Sequence, residues 1–195
     1  MSGKIAVVIL AGGEGRRIGG GKPLRRFGGE RLIDRALRRA RAWSDLVVVG
    51  VRSRGQITSL DAPIIIDTPN IAGPLGGLVS ALLFGVKSGR EFVLTIPADM
   101  PFLPRNLLDR LLAEIGQRCC AIAGSGGHAH PVCGLWRTSA LDHVGGYLTS
   151  EKRSLKGFAA RIGCQEVEWQ SQPVDPFFNI NTDKDLAQAL QHAGN

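Results

Sequence analysis

The segment of residues 10–23, LAGGEGRRIGGGKP, combines six glycines with three cationic side chains. Glycine has no Cβ, so a glycine-rich loop can turn its backbone N–H groups inward and form a concave set of donors for an anion. Arg16, Arg17 and Lys22 add full positive charges beside those donors. We predict that this loop binds the phosphates of a nucleotide; the alternative is a surface loop without a ligand.

Two common phosphate-binding motifs do not fit this loop. A Walker A motif needs Gly six residues before its Lys and Ser or Thr after it, but Arg16 and Pro23 occupy those positions. A dinucleotide-binding fingerprint that starts at Gly13 needs Gly or Ala where the chain has Ile18. The loop therefore belongs to another class of nucleotide site.

Asp99 is the candidate metal ligand. It follows the apolar run of residues 91–96, and Pro97 and Pro101 restrict the backbone on both sides of it. Mg²⁺ prefers one or two carboxylates together with phosphate oxygens, so a carboxylate beside a phosphate loop suits it. The alternative is a helix cap, but we expect Pro104 in the first turn of the next helix, which places Asp99 too far upstream.

Two later segments carry further candidates. Residues 63–67 form an apolar run ending in Asp67, and the glycines of the following loop, residues 68–77, predict backbone pressed against a ligand or a strand. In the second segment, an extended backbone would send Asn179 and Asn181 to one face and Ile180 to the other. Paired amides can bind a heterocycle or phosphate oxygens. Thr182 is the expected N-cap of the last helix.

Alternating apolar runs and helical patterns predict the elements that must position these residues. The pattern is typical of an α/β, Rossmann-like fold with a mostly parallel sheet and helices on both faces. Such a sheet brings the ends of its strands, and the loops after them, to one edge. We predict strands at residues 4–10, 45–51, 63–67, 91–96, 118–123 and 164–169, with one more beyond Pro131. Helices are predicted at 30–42, from the loop 68–77 to about 86, at 105–115, at 142–163 with a break, and after 182.

Length and composition limit the class of protein. A chain of 195 residues fits one domain, 1–195, with one core. No apolar run approaches the roughly 20 residues that span a bilayer, and the chain enters a strand without a signal-peptide pattern, so we expect a cytoplasmic protein without membrane contact. The four cysteines form no CxxC pair. We expect them to be reduced and mostly buried.

The net charge of +7 raises the question of nucleic-acid binding. Much of it falls on the predicted helix 30–42 and its flanks, where arginines occupy the faces left by apolar residues. A solvated helix face explains this pattern, and attraction of polyanionic substrates or of RNA is the alternative. Because aromatic residues are not interleaved with the arginines, we expect no nucleic-acid partner.

The histidines and cysteine of residues 128–133 suggest zinc at first sight. His128, His130 and Cys133 lack a fourth ligand at a recognisable spacing, and the chain beyond Pro131 has the pattern of a strand. We therefore expect His130 and Trp136 to line a pocket or a core rather than to bind a metal.

Five motifs, taken together, resemble the molybdenum cofactor guanylyltransferase family, within the wider group of nucleotidyltransferases with a nucleotide-diphospho-sugar transferase-like domain. The motifs are LAGG at 10–13, GPLGGL at 73–78, PADMPFLP at 97–104, HPVCGLW at 130–136 and FNINT at 178–182. LAGG is common to the wider group, whereas the combination is much narrower. The matches extend over nearly the whole chain.

The resemblance implies GTP and molybdenum-carrying molybdopterin as substrates, Mg²⁺ as cofactor, and pyrophosphate as leaving group. It assigns charge neutralisation to Arg17 and Lys22, and nucleotide and Mg²⁺ contacts to Asp99. The remaining implied contacts with GTP are Leu10, Ala11, Gly12, Gly13, Lys22 and Asp67, and the implied contacts on the molybdopterin side are Asn179 and Asn181.

The resemblance leaves some points open. Gly21 stands where family members usually carry Asp, and Val51 and Arg52 stand where an Asn near an Arg is common. Cytidylyl transfer to the same pterin, transfer to another phosphorylated acceptor, and a non-catalytic carrier of the cofactor are the alternatives. We further expect a monomer, and a molybdoenzyme chaperone or acceptor enzyme as partner.

Overall fold

The computed structural model describes residues 2–13, 21–71, 73–150 and 152–193. Within them the strands are β1 (Ile5–Leu10), β2 (Arg26–Phe27), β3 (Glu30–Arg31), β4 (Val47–Val51), β5 (Ile64–Ile66), β6 (Phe92–Pro97), β7 (Cys120–Ser125), β8 (His128–Arg137) and β9 (Cys164–Trp169). The α-helices are α1 (Leu32–Arg41), α2 (Pro74–Lys87), α3 (Leu107–Glu114), α4 (Val144–Leu148), α5 (Leu155–Ile162) and α6 (Asp183–Ala193).

Seven strands form one sheet in the order β5-β4-β1-β6-β8-β7-β9. β1 pairs in parallel with β4 on one side and with β6 on the other. β8 runs antiparallel to both of its neighbours, β6 and β7, and β7 pairs in parallel with β9. The predicted mostly parallel α/β sheet is confirmed, and β8 is the exception to its strand direction.

Both faces of this sheet are covered, which explains why β1 is continuously apolar. Val7 and Ile9 belong to a core cluster shared with α1 and α3. Val8 belongs to the opposite face, where it clusters with Ala81 of α2. A second cluster on the α2 side includes Phe158 of α5 and the fully buried Trp136. Helices therefore flank the sheet on both sides, as predicted.

Three predicted helix boundaries are wrong. The helix expected at 30–42 is shorter because Glu30 and Arg31 pair with β2 in a hairpin. The loop expected to reach residue 77 ends earlier, since Pro74 starts α2 after Gly73, whose φ of 73° is in the left-handed region. Pro104 lies outside α3, because that helix begins at Leu107.

The helical region predicted at 142–163 consists of separate pieces. A 3₁₀ helix, Thr138–His143, leads into the short α4, and α5 follows after an irregular connection. Ser154 caps α5, because its Oγ accepts a hydrogen bond from the Gly157 N–H at 2.9 Å. The interruption between the helices therefore extends over several residues between α4 and α5, not over a single glycine.

Most of the arginines on and beside α1 have partners within the protein. Arg31 donates two hydrogen bonds to the Asp34 carboxylate, from Nε and from one terminal nitrogen, and Arg38 forms hydrogen bonds with Glu30. Arg35 donates to the Pro101 carbonyl at 2.8 Å. Arg41 bonds to Asp61. These contacts tie the helix to its neighbours and give several of its cations a structural role.

Two further expectations concern the cysteines and the membrane. Cys120 and Cys133 are buried, whereas Cys119 and Cys164 are half-buried, and all four are free. Burial is thus complete for only two of them. Among the residues that the structure describes, no helix has the length and apolar character needed to cross a membrane.

Candidate active site

A cleft of about 230 Å³ lies where β1, β5 and β6 end. It is lined by residues from each of the three loops that follow these strands, together with Asn179 from the loop before α6. The predicted residues on its wall are Leu10, Gly12, Gly13, Asp67, Asp99 and Asn179. Segments that are far apart in the sequence therefore meet at one edge of the sheet, as the parallel topology requires.

Lys22 enters this region on a single 3₁₀ turn, Lys22–Leu24. The preceding Gly21 has φ 59°, a left-handed conformation that glycine adopts without strain. Pro23 fixes the backbone directly after the lysine. The side chain of Lys22 is only 11% exposed, so its position is determined by what surrounds it.

In the described part of the chain, three oxygen atoms surround the Lys22 ammonium. Its Nζ forms an ion pair with Asp99 Oδ2. It also donates to Asn181 Oδ1 at 2.8 Å and to Asn179 Oδ1 at 3.2 Å. The structure thus joins the end of the phosphate loop, the predicted metal ligand and the two predicted amides in one polar cluster.

Asp99 is held by its backbone and has one carboxylate oxygen without a partner. Its carbonyl accepts a hydrogen bond from the Ile180 N–H at 3.0 Å, and the neighbouring Ala98 N–H donates to the Leu10 carbonyl at 3.3 Å. Asp99 Oδ1 is buried and has no hydrogen-bond partner. Because such an oxygen is costly to bury, this atom fits a role as ligand to a hard divalent cation.

Asp67 is the second carboxylate in the cleft, and glycines surround it. A Cβ added at Gly12 would collide with Asp67 Oδ2, and Cβ atoms at Gly50 and Gly77 would approach Asp67 Oδ1 within 3.5 and 3.4 Å. Asp67 Oδ1 is buried without a partner. Burial raises the pKa of Asp67, and the positive charge of Arg52 partly opposes that effect.

Ala11 differs from the other predicted residues of the phosphate loop. Its N–H donates to the Gly50 carbonyl at 2.8 Å, and its carbonyl accepts from the Gln56 side chain at 3.1 Å. Gln56 also accepts from the Arg52 N–H at 2.9 Å. The side chain of Gln56 therefore fastens the phosphate loop to the loop after β4, a role that no motif in the sequence indicated.

The side chains of the amide-bearing segment alternate as predicted. Ile180 is fully buried while the two flanking amides reach Lys22, so the expected alternation is confirmed. Thr182 caps α6, since its Oγ1 accepts from the Asp185 N–H at 3.1 Å. Asp185 in turn accepts from the N–H groups of Asn181 and Thr182. This reciprocal arrangement is a capping box.

A partly buried hydrogen-bonded chain fixes the start of the same segment. Asp175 Oδ1 accepts from the Phe177 N–H and from the Ser125 hydroxyl, both at 2.9 Å. Because the single hydroxyl proton of Ser125 goes to Asp175, His130 Nε2 must donate to Ser125 Oγ, 2.8 Å away. The His130 ring stacks on Phe177. Sequence reasoning missed Ser125 and Asp175, because neither belongs to a recognisable motif.

Burial lowers the pKa of His130, while the negative charge of Asp175 opposes that shift. Cys133 points elsewhere: its thiol donates to Met100 Sδ at 3.6 Å. In the described part of the chain, no group of three or more His, Cys, Asp or Glu side chains is arranged to hold a metal ion. His130 and Trp136 lie in packed surroundings, where the first serves the hydrogen-bonded chain and the second the core.

Arg17, which the sequence places beside the phosphates, lies outside the described residues, as does Arg16. The remaining predicted residues fall in or next to the cleft. Leu10, Gly12 and Gly13 line it, and Gly13 also borders a second cavity of about 370 Å³ beside Arg52 and Gln56.

Comparison with known protein families gives one match over most of the chain. Residues 7–166 match the model of the MobA-like NTP transferase domain. A curated relative from Nitrobacter hamburgensis, a molybdenum cofactor guanylyltransferase, is 35% identical over 190 residues, which cover 93% of this chain and 91% of that protein. A protein of the same name from Mesorhizobium japonicum is 36% identical and covers 96% of this chain and 95% of its own length.

Solved structures show the same fold. The molybdopterin-guanine dinucleotide biosynthesis protein A from Archaeoglobus fulgidus superimposes with a TM-score of 0.78 at 24% identity, covering 97% of this chain and 98% of that one. The 4-diphosphocytidyl-2C-methyl-D-erythritol synthase from Anaerococcus prevotii gives a TM-score of 0.75 at 14% identity, covering 99% and 97%. At these identities the likeness concerns the fold alone.

Proposed function

The chain belongs to the MobA-like NTP transferase family, and on that premise we propose how it transfers GMP from GTP to the phosphate of molybdenum-carrying molybdopterin. An oxygen of the terminal phosphate of molybdopterin attacks the α-phosphorus of GTP. The bond from that phosphorus to the β-phosphate oxygen breaks, and pyrophosphate leaves. The product is molybdopterin guanine dinucleotide.

This reaction needs positioning and charge neutralisation more than a covalent nucleophile. Lys22 supplies a positive charge at the end of the glycine-rich loop, and its burial strengthens its interaction with a phosphate. We propose that Lys22 neutralises the negative charge that develops on the triphosphate. Arg17 is assigned the same task from its place in the sequence.

A divalent cation is expected for a nucleotidyltransferase, and we propose Mg²⁺ with Asp99 as its protein ligand. The buried Asp99 Oδ1, which has no hydrogen-bond partner, supports this choice. Mg²⁺ takes oxygen ligands and is usually bound by one or two carboxylates together with waters and the phosphate oxygens of the substrate. When bound, Mg²⁺ would neutralise charge on the phosphates. Asp99 itself would orient the nucleotide toward the acceptor.

Asp67 is the group that we assign to the choice of base. Guanine presents two neighbouring donors, N1–H and N2–H₂, and a carboxylate can accept both of them at once. The glycines around Asp67 let backbone approach both of its carboxylate oxygens, since a Cβ at Gly12, Gly50 or Gly77 would meet them. The cleft floor between Leu10 and Gly77 would then cover a face of the base.

The observation that carries this proposal is the meeting of Lys22 with Asp99 beside the phosphate loop. A protein that only carried the molybdenum cofactor would not need the Lys22 ammonium next to a carboxylate with one oxygen that lacks a hydrogen-bond partner. The arrangement supports nucleotidyl transfer in preference to binding alone.

The test is pyrophosphate release by the purified protein with Mg²⁺ and molybdopterin, offered GTP, CTP, ATP and UTP in turn. We expect release with GTP, and loss of release in the Asp99→Ala variant. Asp109→Ala, which removes an exposed carboxylate on α3, is the matched control and should retain full activity. Release with CTP alone would instead establish cytidylyl transfer. Absence of release with every nucleotide, despite tight pterin binding, would leave a carrier.

A further inference from the structure

Among the residues that the structure describes, Lys22 has as many oxygen partners as it has N–H donors. An ammonium group carries three N–H bonds. Asp99 Oδ2, Asn179 Oδ1 and Asn181 Oδ1 are the three oxygens that surround Nζ. Lys22 must therefore give up at least one of these contacts before it can donate to a phosphate oxygen of a nucleotide.

The three contacts differ in how firmly they are fixed. Both amides lie on a short segment that is anchored on each side of the buried Ile180. The Ile180 N–H binds the Asp99 carbonyl, and the Asn181 N–H binds the Asp185 carboxylate. Because the backbone of this segment is held at these points, the amide oxygens are nearly fixed acceptors for the ammonium.

The Asp99 carboxylate is the contact that can be exchanged. Its Oδ1 has no partner, so the group is not saturated, and it carries the charge that a cation would attract. Loss of the Asp99 contact would leave Lys22 with two hydrogen bonds to the amides and one free donor. The ammonium could then turn to a phosphate without leaving its place.

We infer that Asn179 and Asn181 are positioning residues for Lys22. Their side-chain carbonyl oxygens hold the Lys22 ammonium beside the phosphate loop, while the third N–H of that ammonium passes from Asp99 to the nucleotide. This inference rests on the proposed function, since it concerns the same site. It differs from the role that the resemblance implies, in which the two amides serve the molybdopterin side.

The two roles make different predictions for nucleotide binding without an acceptor. If Asn181 only contacts molybdopterin, its removal leaves the affinity for GTP unchanged. If Asn181 positions Lys22, its removal weakens GTP binding through the lysine. A hydrogen bond to a charged group makes the expected loss about tenfold in the dissociation constant.

A double-mutant cycle on GTP binding tests this directly. Isothermal titration calorimetry with Mg²⁺ and GTP, without molybdopterin, is carried out on the parent protein, Asn181→Ala, Lys22→Met and the double variant. We expect Asn181→Ala to weaken binding about tenfold in the parent background and less than about twofold in the Lys22→Met background. Gln117→Ala, which removes an exposed amide elsewhere, should have no effect.

An equal loss in both backgrounds would overturn the inference, because Asn181 would then act without Lys22. An unchanged affinity in Asn181→Ala would overturn it as well, and would favour a contact with the acceptor alone. If the parent itself does not bind GTP, the proposed function fails first, which keeps the two failures distinct.

A second measurement covers the case in which Lys22→Met abolishes measurable binding. Acetylation of Lys22 by acetic anhydride is followed by mass spectrometry of its peptide in the folded parent and in Asn181→Ala. Release of the amine from one of its acceptors should raise the acetylation rate severalfold, with melting curves to show that both proteins are folded. An equal rate in the two proteins would contradict the positioning role.

Discussion

Lys22 and Asn179 are separated by 157 positions in the sequence, yet the Lys22 Nζ donates to Asn179 Oδ1 at 3.2 Å. The contact joins the loop after the first strand to the loop before the last helix. Asp99, from the middle of the chain, completes the same cluster. The geometry of the site therefore depends on the whole sheet, and the predictions below address its separate parts.

Replacement of Lys22 by Met should lower kcat/KM for GTP by at least about 100-fold. Met keeps most of the aliphatic stem that is buried here. It removes the positive charge that we propose neutralises the triphosphate. The measurement is the steady-state rate of pyrophosphate release. Lys87→Met, at the exposed end of α2, should behave like the parent; a loss of only a few-fold in Lys22→Met would contradict the role of the lysine.

Asp99→Asn keeps the shape of the side chain but removes its charge. We expect nucleotidyl transfer to fall by at least about 100-fold, and we expect added Mg²⁺ not to restore it. The independent readout is electron paramagnetic resonance of Mn²⁺ in the presence of GTP, which should show weaker binding of the ion in the variant. Unaltered Mn²⁺ binding would remove Asp99 from the list of metal ligands.

The pKa of Asp67 predicts how stability depends on pH. Because burial raises this pKa in the folded protein above its unfolded value, the ionised carboxylate disfavours folding, and the cost grows as pH rises through the interval between the two values. Asp67→Asn should therefore be more stable than the parent at pH 7 and equally stable at a pH below both values. Urea unfolding at several pH values measures this difference. The same variant should lose its preference for GTP over the other nucleotides.

Gly12→Ala tests the space beside Asp67. The new Cβ would collide with Asp67 Oδ2 and lie 3.2 Å from Arg52 Cγ, so the wall of the cleft must shift. We expect GTP binding to weaken about tenfold or more, as measured by calorimetry. Gly145→Ala, whose Cβ has no neighbour within 4 Å, is the control for the added methyl group. Equal GTP affinity in Gly12→Ala and the parent would exclude this part of the cleft as the base site.

Ser125→Ala removes the middle member of the chain between His130 and Asp175. The loss of a partly buried hydrogen bond to a carboxylate should cost about 2 kcal/mol of unfolding free energy and lower the melting temperature by several degrees. Calorimetric melting measures the change. Ser53→Ala, at an exposed loop, should leave the melting temperature unchanged. A stable Ser125→Ala protein would show that Asp175 is held without the hydroxyl.

The sheet and most positions of the cleft could be predicted from the sequence because their signals are local. The apolar runs before Gly12, Asp67 and Asp99 indicate strands, and parallel strands must bring the residues that follow them to one edge. The alternation around Ile180 likewise determines which way the two amides point. These features follow from the backbone period alone.

The start of α1 was predicted too early because Gly28 and Gly29, both at positive φ, close a local hairpin that pairs Glu30 and Arg31 with β2. Other features depend on contacts between distant segments. The partnership of Ser125 with Asp175 spans 50 positions and involves residue types common in any loop. The hydrogen bonds from Lys22 to the two amides could not be predicted for the same reason. No local sequence pattern indicates which polar groups from distant segments face each other in the folded protein.

The position of β8 between β6 and β7 also has a consequence for synthesis on the ribosome. β6 lies in the interior of the sheet, but the strand that covers its second edge, β8, is translated only after β7. A nascent chain that has reached β7 therefore exposes the apolar β6 edge until the hairpin folds back onto it. Such an edge is a template for pairing with other chains. Slow translation near residue 125 would prolong this exposure and favour aggregation, whereas rapid completion of the hairpin would protect the protein.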